Sequence, residues 1–168
     1  MIAARAGDRT AFERLYGLYA RMVHGIILAR VPRIEVEDLV QDVFVQALSR
    51  LAGLRDAVAF PGWLAAIARN RANDYHRRSH ETVELPADLA GGSEPNPEAA
   101  IVLAAIRSLP EAYRETLILR LLEGMTGPEI SARTGLKADS VRVNLHRGFK
   151  LLRARLDTKA SKATEECL

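Results

Sequence analysis

The feature that most restricts how this chain can fold is a stretch near its middle that interrupts an otherwise helix-like sequence. Residues 79–98 read SHETVELPADLAGGSEPNPE, with three prolines, two glycines, five acidic residues and neither lysine nor arginine. Such a segment has little apolar surface to bury, and its prolines and glycines disfavour regular structure. The sequence therefore predicts two folded units joined by a flexible acidic linker over residues 79–96.

The first unit, residues 1–78, has the three-and-four spacing of apolar residues that marks amphipathic helices. One helix contains Phe12 and is expected to end before Pro32. A second is predicted from about residue 36 to residue 51, and a third from about residue 61 to residue 78. This unit is predicted to be a small helical bundle.

Two helices open the second unit, which we place at residues 97–157. They are predicted at about 97–109 and 110–124, with Leu121 among the residues that face inward. The last stretch, 158–168, shows no clear period and is expected to be disordered. Because the sequence contains no strand pattern and no repeat, the predicted fold class is all-α, with two small helical bundles and a helix-turn-helix in the second.

The helix-turn-helix is predicted from its local signals at residues 126–153. Thr126 and Glu129 have the spacing of a capping box, so a helix should begin there. Gly135 suits the left-handed residue that ends a short helix. A second helix follows, and one apolar stripe runs along it: Val141, Leu145, Gly148 and Leu152.

The second helix of this motif has a basic face. Between Arg133 and Arg153 the chain has six Lys or Arg residues against one acid, Asp139. An ordinary solvated helix usually mixes charges, so this bias indicates a polyanionic partner. Val143 is placed to meet a thymine methyl group in a major groove. The candidate contact residues are Ser140, Arg142, Val143, Asn144, His146, Arg147 and Lys150.

Two more polar clusters lie in the first unit. Four residues share one face of the second predicted helix, which suits either plain solvation or a basic partner: Asp38, Gln41, Asp42 and Val45. The third helix has arginines suited to phosphates and asparagines suited to base edges: Arg69, Asn70, Arg71, Asn73, Arg77 and Arg78. For Asn70 and Asp74, a bond to nearby arginines within the helix is nearly as good an interpretation.

Composition argues against several functional classes. The chain has 168 residues, a net charge of +3 and one cysteine, Cys167, so it cannot build a disulfide or a cysteine metal site. The first residues turn polar at once, and no apolar run approaches the ~20 residues of a membrane span, so neither a signal peptide nor membrane insertion is expected. No catalytic cluster, phosphate loop, cofactor motif or metal-ligand spacing is present. We expect a cytoplasmic protein that is not an enzyme, with no cofactor and no metal.

Three segments, in their order along the chain, resemble the extracytoplasmic-function (ECF) sigma factors of bacterial RNA polymerase. They are EDLVQDVFVQAL (37–48), FPGWLAAIARNRANDYHRR (60–78) and LPEAYRETLILRLLEGMTGPEISARTGLKADSVRVNLHR (109–147). The combination is more specific than a helix-turn-helix alone. The resemblance implies that residues 1–78 form sigma region 2 and residues 97–157 form region 4.

The resemblance also implies partners and roles. The residues near 37–48 would bind the beta-prime clamp helices of core RNA polymerase, and the linker would enter the polymerase, whose beta subunit is a further expected partner. Residues 60–78 and the preceding loop, with Leu54 to Ala57 as candidates, would melt the minus-10 element of promoter DNA and hold a flipped base. The helix-turn-helix would bind the minus-35 element. Many relatives are controlled by an anti-sigma factor.

The chain departs from its relatives in the second helix of the helix-turn-helix, and this affects which promoter it would prefer. Val143 stands where they often have a polar residue and Asn144 where they often have a basic one, so a different minus-35 sequence is expected. One alternative function is a polymerase-independent repressor or activator, which would normally dimerise; no dimerisation helix is evident. Another is an enzyme acting on nucleic acid, for which no chemical residues are present.

Overall fold

In the computed structural model, which describes residues 2–81 and 97–165, every regular element is a helix. This confirms the all-α prediction; most of the proposed linker, residues 79–96, lies outside the described residues. Short 3-10 turns occur at Arg33–Glu35 and Leu51–Gly53. The α-helices are α1 (Ile2–Arg5), α2 (Arg9–Leu28), α3 (Val36–Arg50), α4 (Phe60–Glu81), α5 (Pro97–Arg107), α6 (Glu111–Leu121), α7 (Gly127–Thr134) and α8 (Ala138–Glu165).

Helices α1–α4 form the first lobe; α2, α3 and α4 correspond to the three predicted helices, whereas the short α1 was not predicted. α2 begins at an Asp8 cap, whose carboxylate accepts a hydrogen bond from the Ala11 amide at 3.0 Å. α2, α3 and α4 pack around fully buried side chains that include Met22, Val43 and Leu64. The apolar spacing in this part of the chain therefore predicted both the helices and the faces that they bury.

Helices α5–α8 form the second lobe, in which α6 lies at the centre. Five consecutive residues of α6, 115–119, are buried, because the helix is covered on one side by α8 and on another by the first lobe. Leu121, which we expected to face inward, is 41% exposed, so that prediction was wrong. A helix buried on more than one side loses the single apolar stripe on which such a prediction depends.

The helix-turn-helix has the predicted local geometry. Thr126 and Glu129 form both hydrogen bonds of the capping box, and Gly135 ends α7 in the left-handed conformation, with φ of 75°. Val141, Gly148 and Leu152 are buried along α8. The helix then continues to Glu165, so the prediction of a disordered tail from residue 158 was wrong up to that point, and Cys167 lies outside the described residues.

The two lobes pack directly against each other, which the sequence did not predict. α2 lies against α6 and α7, and α4 lies against α7, so that one apolar core continues through both lobes. Gly25 allows α2 to approach α6, since a Cβ atom there would lie 2.6 Å from Leu119 Cδ2. Among the described helices, none has both the length and the apolarity that a bilayer crossing requires.

Candidate nucleic-acid interface

The predicted polar residues of α3 lie together on an exposed face, which we call the α3 face: Asp38, Gln41, Asp42 and Val45. Val45 is 68% exposed, and Leu48, one turn further along the helix, is also exposed. Leu48 was not predicted as part of this face, although its three-residue spacing from Val45 places both on one side of the helix. A surface that combines apolar side chains with carboxylates suits a basic protein partner.

The α3 face is joined to α4 by an ion pair. Asp42 Oδ2 accepts a hydrogen bond from Arg71 Nη2 at 2.6 Å. Arg71 is therefore turned toward α3 and is half-buried, and its Nε atom has no hydrogen-bond partner among the described residues. The structure thus connects two residues to which the sequence analysis gave separate roles.

The exposed part of the α4 cluster consists of Asn70, Asn73, Arg77 and Arg78. Asp74 forms an ion pair with Arg77 at 3.0 Å, so the interpretation of Asp74 as a helix-internal partner is confirmed. Asn70 is exposed, which leaves its amide accessible to a base edge. This exposed group forms a polar and basic strip along the outer side of α4.

Arg69 is not part of that strip, because it faces the second lobe. Its Nε and Nη2 atoms donate to the Glu115 carboxylate at 3.1 and 2.7 Å, and Nη2 also donates to the Thr134 carbonyl at 3.2 Å. The six predicted minus-10 residues are therefore not brought together on one surface in this conformation. Glu115 was not recognised as a functional residue from the sequence. Its only signal was that an acidic residue stands at a position of the helix where the spacing predicts burial.

The loop before α4 is partly ordered by its own hydrogen bonds. Asp56 Oδ1 accepts a hydrogen bond from the Val58 amide at 2.8 Å, which forms a local turn. Leu54 packs partly against the core, while Arg55 and Ala57 are exposed. Trp63 is half-buried beside Phe60, with ring centroids 5.9 Å apart, and so contributes to the core as expected.

The reading face of α8 is mostly exposed as predicted: Ser140, Arg142, Val143, His146, Arg147 and Lys150. Arg142 forms an ion pair with Asp139 at 3.1 Å, within the first turns of the helix. Asn144 differs from the others because it is half-buried. It lines a cleft of about 430 Å³ between the lobes, together with Arg30, Arg69 and Glu115.

Glu115 is the most buried charged group of the lobe junction, with only 7% of its side chain exposed. Both of its cationic partners come from the first lobe: Arg30 Nη2 and Arg69 Nη2 each lie 2.7 Å from a carboxylate oxygen. Burial acts to raise the pKa of this carboxyl, but the hydrogen bonds and charges of Arg69 and Arg30 outweigh burial and hold the pKa below its usual value.

A second carboxylate, Glu123, contacts the first lobe near the other end of α6. Its Oε1 atom lies 2.5 Å from His24 Nδ1, and its backbone carbonyl accepts a hydrogen bond from Arg21. The hydrogen bond to Glu123 is the main reason why the pKa of His24 is raised. No cluster of three or more His, Cys, Asp or Glu side chains suited to a metal ion occurs in the described part of the chain.

Comparisons with known proteins match both lobes. The family model for sigma-70 region 2 matches residues 15–82, and the one for sigma-70 region 4 matches residues 99–152. The chain is 32% identical to RNA polymerase sigma factor CarQ of Myxococcus xanthus over 159 residues, which cover 89% of this chain and 91% of CarQ. It is also 32% identical over 160 residues to the ECF RNA polymerase sigma-E factor of Escherichia coli K12, with 84% of each chain covered.

A solved structure also has the same fold. The structure of CnrH in complex with the cytosolic domain of CnrY aligns with a TM-score of 0.66 and 27% identity, and the alignment covers 94% of each chain. CnrH of Cupriavidus metallidurans is itself an RNA polymerase sigma factor that is 32% identical to this chain over 183 residues, covering 95% of this chain and 93% of CnrH.

Proposed function

This chain belongs to the ECF sigma factors of bacterial RNA polymerase, and we propose that three exposed faces carry its separate binding tasks. As a sigma factor it directs core RNA polymerase to specific promoters and initiates transcription there. The roles that we assign to individual residues rest on one observation, the position of these faces. One lies on α3 and one on α4 in the first lobe, and one lies on α8 in the second.

The α3 face is the proposed contact with the beta-prime clamp helices of core polymerase. Asp38, Gln41 and Asp42 present acidic and polar groups, and Val45 with Leu48 supplies apolar surface that is otherwise exposed to water. Acidic groups would steer a basic partner and set the register, while the apolar pair contributes buried area. The beta subunit remains a further proposed contact.

The outer strip of α4 is the proposed minus-10 surface. Asn70 and Asn73 are exposed and suited to base edges, and Arg77 and Arg78 are exposed and suited to phosphates. Arg69 and Arg71 belong to this assignment only if they leave their present partners, Glu115 and Asp42. The loop at 54–57 is the proposed site for the flipped base.

The exposed face of α8 is the proposed minus-35 surface. Arg147 and Lys150 suit phosphates or guanine edges, and Ser140 at the first turn suits a phosphate. Val143 and Asn144 are the proposed sources of this chain's own sequence preference. His146 is exposed on the same face and is assigned to a phosphate contact.

Several broader assignments follow from family membership. We propose region 2 for the first lobe, residues 1–78 with the end of α4, and region 4 for the second lobe from residue 97. We also propose that the protein acts in the cytoplasm, has no enzymatic activity of its own and is regulated by an anti-sigma factor. The last proposal is supported by the structure of CnrH, which was solved with a bound cytosolic domain of CnrY.

Run-off transcription with Arg147→Ala tests the minus-35 assignment. The variant should weaken binding to the minus-35 element by roughly 1–3 kcal/mol if Arg147 makes a specific base contact. The promoter would come from transcription start sites mapped after overexpression. Arg155→Ala is the matched control, because Arg155 is also exposed on α8 but lies about two turns beyond Arg147.

The possible outcomes distinguish a wrong assignment of Arg147 from a wrong assignment of the sigma-factor role. Unchanged run-off transcription with Arg147→Ala would remove Arg147 from the minus-35 surface. Co-purification of the wild-type chain with core polymerase tests the sigma-factor role itself. A polymerase-independent repressor or activator would bind DNA without being retained by core polymerase.

A further inference from the structure

We propose that the packed arrangement of the lobes is an autoinhibited state of this sigma factor, and that Glu115 is its latch. The latch consists of Glu115 in the second lobe with Arg30 and Arg69 in the first. In this state the chain would be unable to engage both promoter elements. The proposal rests on the function proposed above, because it concerns the availability of Arg69 and of the α8 reading face.

The chemistry of Glu115 ties its burial to contact between the lobes. The carboxylate is buried, and the cations within hydrogen-bonding distance, Arg30 from α2 and Arg69 from α4, both belong to the first lobe. A buried carboxylate needs such partners, since losing them while it remains buried is strongly unfavourable. Glu115 therefore favours either the closed arrangement or one in which it reaches water.

Close backbone approach makes the closed arrangement specific in shape. A Cβ atom at Gly25 would meet Leu119 and Glu123, both in the second lobe, at 2.6 and 2.9 Å. A Cβ atom at Gly62 of α4 would lie 3.7 Å from the Cα atom of Gly135, at the turn of the helix-turn-helix. The lobes are thus in contact at both points, and at Gly25 an added Cβ atom would force the packing to shift.

Further hydrogen bonds run from arginine side chains of the second lobe to backbone carbonyls of the first lobe. Arg107 Nη2 donates to the carbonyls of Leu28 and Val31 at 3.1 and 2.8 Å, at the C-terminal end of α2. Terminal carbonyls of a helix lack partners within the helix, so a guanidinium from the second lobe acts as an external cap. Arg133 of α7 also donates to the Leu18 carbonyl, which lies in the middle of α2, at 3.1 Å.

The dimensions of promoter DNA are incompatible with this closed arrangement. The minus-10 and minus-35 elements are named for positions about 25 base pairs apart, which is about 85 Å along the duplex at roughly 3.4 Å per base pair. Arg69 and Asn144, which are candidates for contact with these two elements, line one and the same cleft. The two lobes must therefore separate before both elements are bound.

In the closed arrangement, one candidate DNA-binding residue of each lobe is also less available to DNA. Arg69 directs its hydrogen bonds to Glu115 and Thr134, and Asn144 is half-buried at the junction. A ligand that binds only the open form shifts the equilibrium toward it, and its apparent affinity is reduced by the fraction of molecules that are closed. Opening the latch should therefore strengthen the binding of DNA by the free protein.

Two substitutions test the latch from opposite sides of the junction. Glu115→Gln removes the buried charge from the second lobe and keeps the shape of the side chain. Gly25→Ala introduces a clash with Leu119 from the first lobe and changes no charge. The matched controls are Glu13→Gln, an exposed acid of α2 that forms an ion pair with Arg9 on the same helix, and Gly17→Ala on α2, where an added Cβ atom meets nothing within 4 Å.

Two measurements on the full chain, without polymerase, report the result. Small-angle X-ray scattering gives the radius of gyration, and circular dichroism confirms that each variant keeps its helices. Fluorescence anisotropy gives the affinity for a labelled single-stranded DNA of random sequence at one fixed salt concentration. We expect both test variants to be larger than the wild type and to bind the DNA roughly three- to tenfold more tightly, while both controls match the wild type.

Each other outcome overturns part or all of the proposal. If both test variants keep the wild-type radius of gyration, Glu115 is not a latch. If the radius grows but DNA affinity does not, closure is not inhibitory. If Glu13→Gln increases affinity as much as Glu115→Gln, the effect is one of net charge. The scattering result does not depend on transcription, so failure of the sigma-factor assignment, seen as no run-off product from the wild-type chain, is distinguishable.

Discussion

At the scale of single residues, His24 introduces a titratable contact into the junction between the lobes. Glu123 lies 2.5 Å from its Nδ1 atom, and Glu37 of α3 lies 3.7 Å from its Nε2 atom. The hydrogen bond to Glu123 raises the pKa of His24 above 6.5, against the opposing effects of burial and of the Arg33 charge. Arg21 also faces Glu123 and shares its carboxylate.

This contact predicts that the closed state weakens as pH rises. A histidine whose pKa is raised by a native partner contributes stability that is complete below its unperturbed pKa and is lost as pH rises through the raised value. Between about pH 6 and pH 8, the radius of gyration of the wild-type chain should therefore increase. His24→Gln should reduce this dependence, whereas His146→Gln, exposed on α8, should retain it. An equal pH response in wild type and His24→Gln would contradict the prediction.

At the scale of helices, local signals predicted what local interactions determine. Thr126, Glu129 and Gly135 define α7 through hydrogen bonds and a left-handed turn within a few residues, and all three behave as expected. The inward face of α6 depends instead on contacts with two different neighbours. Helical spacing alone therefore led to the wrong prediction that Leu121 faces inward. The end of α8 was missed because residues 158–165 lack the apolar period that marked its earlier turns.

The capping box gives a prediction at this scale. Thr126→Ala removes the side chain that accepts from the Glu129 amide and donates to its carboxylate. Loss of an N-cap typically costs about 1 kcal/mol, so the free energy of unfolding in urea should fall by about that amount. Thr158→Ala is a suitable control, because Thr158 is exposed on α8 and its hydroxyl donates to the carbonyl of Ala154 in the same helix. Equal effects of the two substitutions would argue against a special role for the cap.

At the scale of the whole molecule, the sequence predicted the lobes and most of their exposed faces but not their arrangement. Periodicity identifies which side of a helix is apolar, and from it we correctly predicted that the α3 face and most of the reading face of α8 are exposed. It carries no information on the fit between Gly25 and Leu119, or on which cation meets Glu115. Such contacts join residues far apart in the chain, so they removed Arg69 and Asn144 from the surfaces on which we expected them.

A shared core has a consequence for unfolding that separate lobes would not have. The apolar core includes Ile26 of α2 and Leu119 of α6 in one continuous cluster, so loss of either lobe exposes apolar surface of the other. Cooperative unfolding makes transitions followed by different probes coincide. In the wild type, fluorescence of Trp63, the single tryptophan and part of the first lobe, should therefore follow the same urea curve as circular dichroism of all helices. Gly25→Ala should separate the two curves and Gly17→Ala should not, whereas curves that already differ in the wild type would show that the lobes unfold independently.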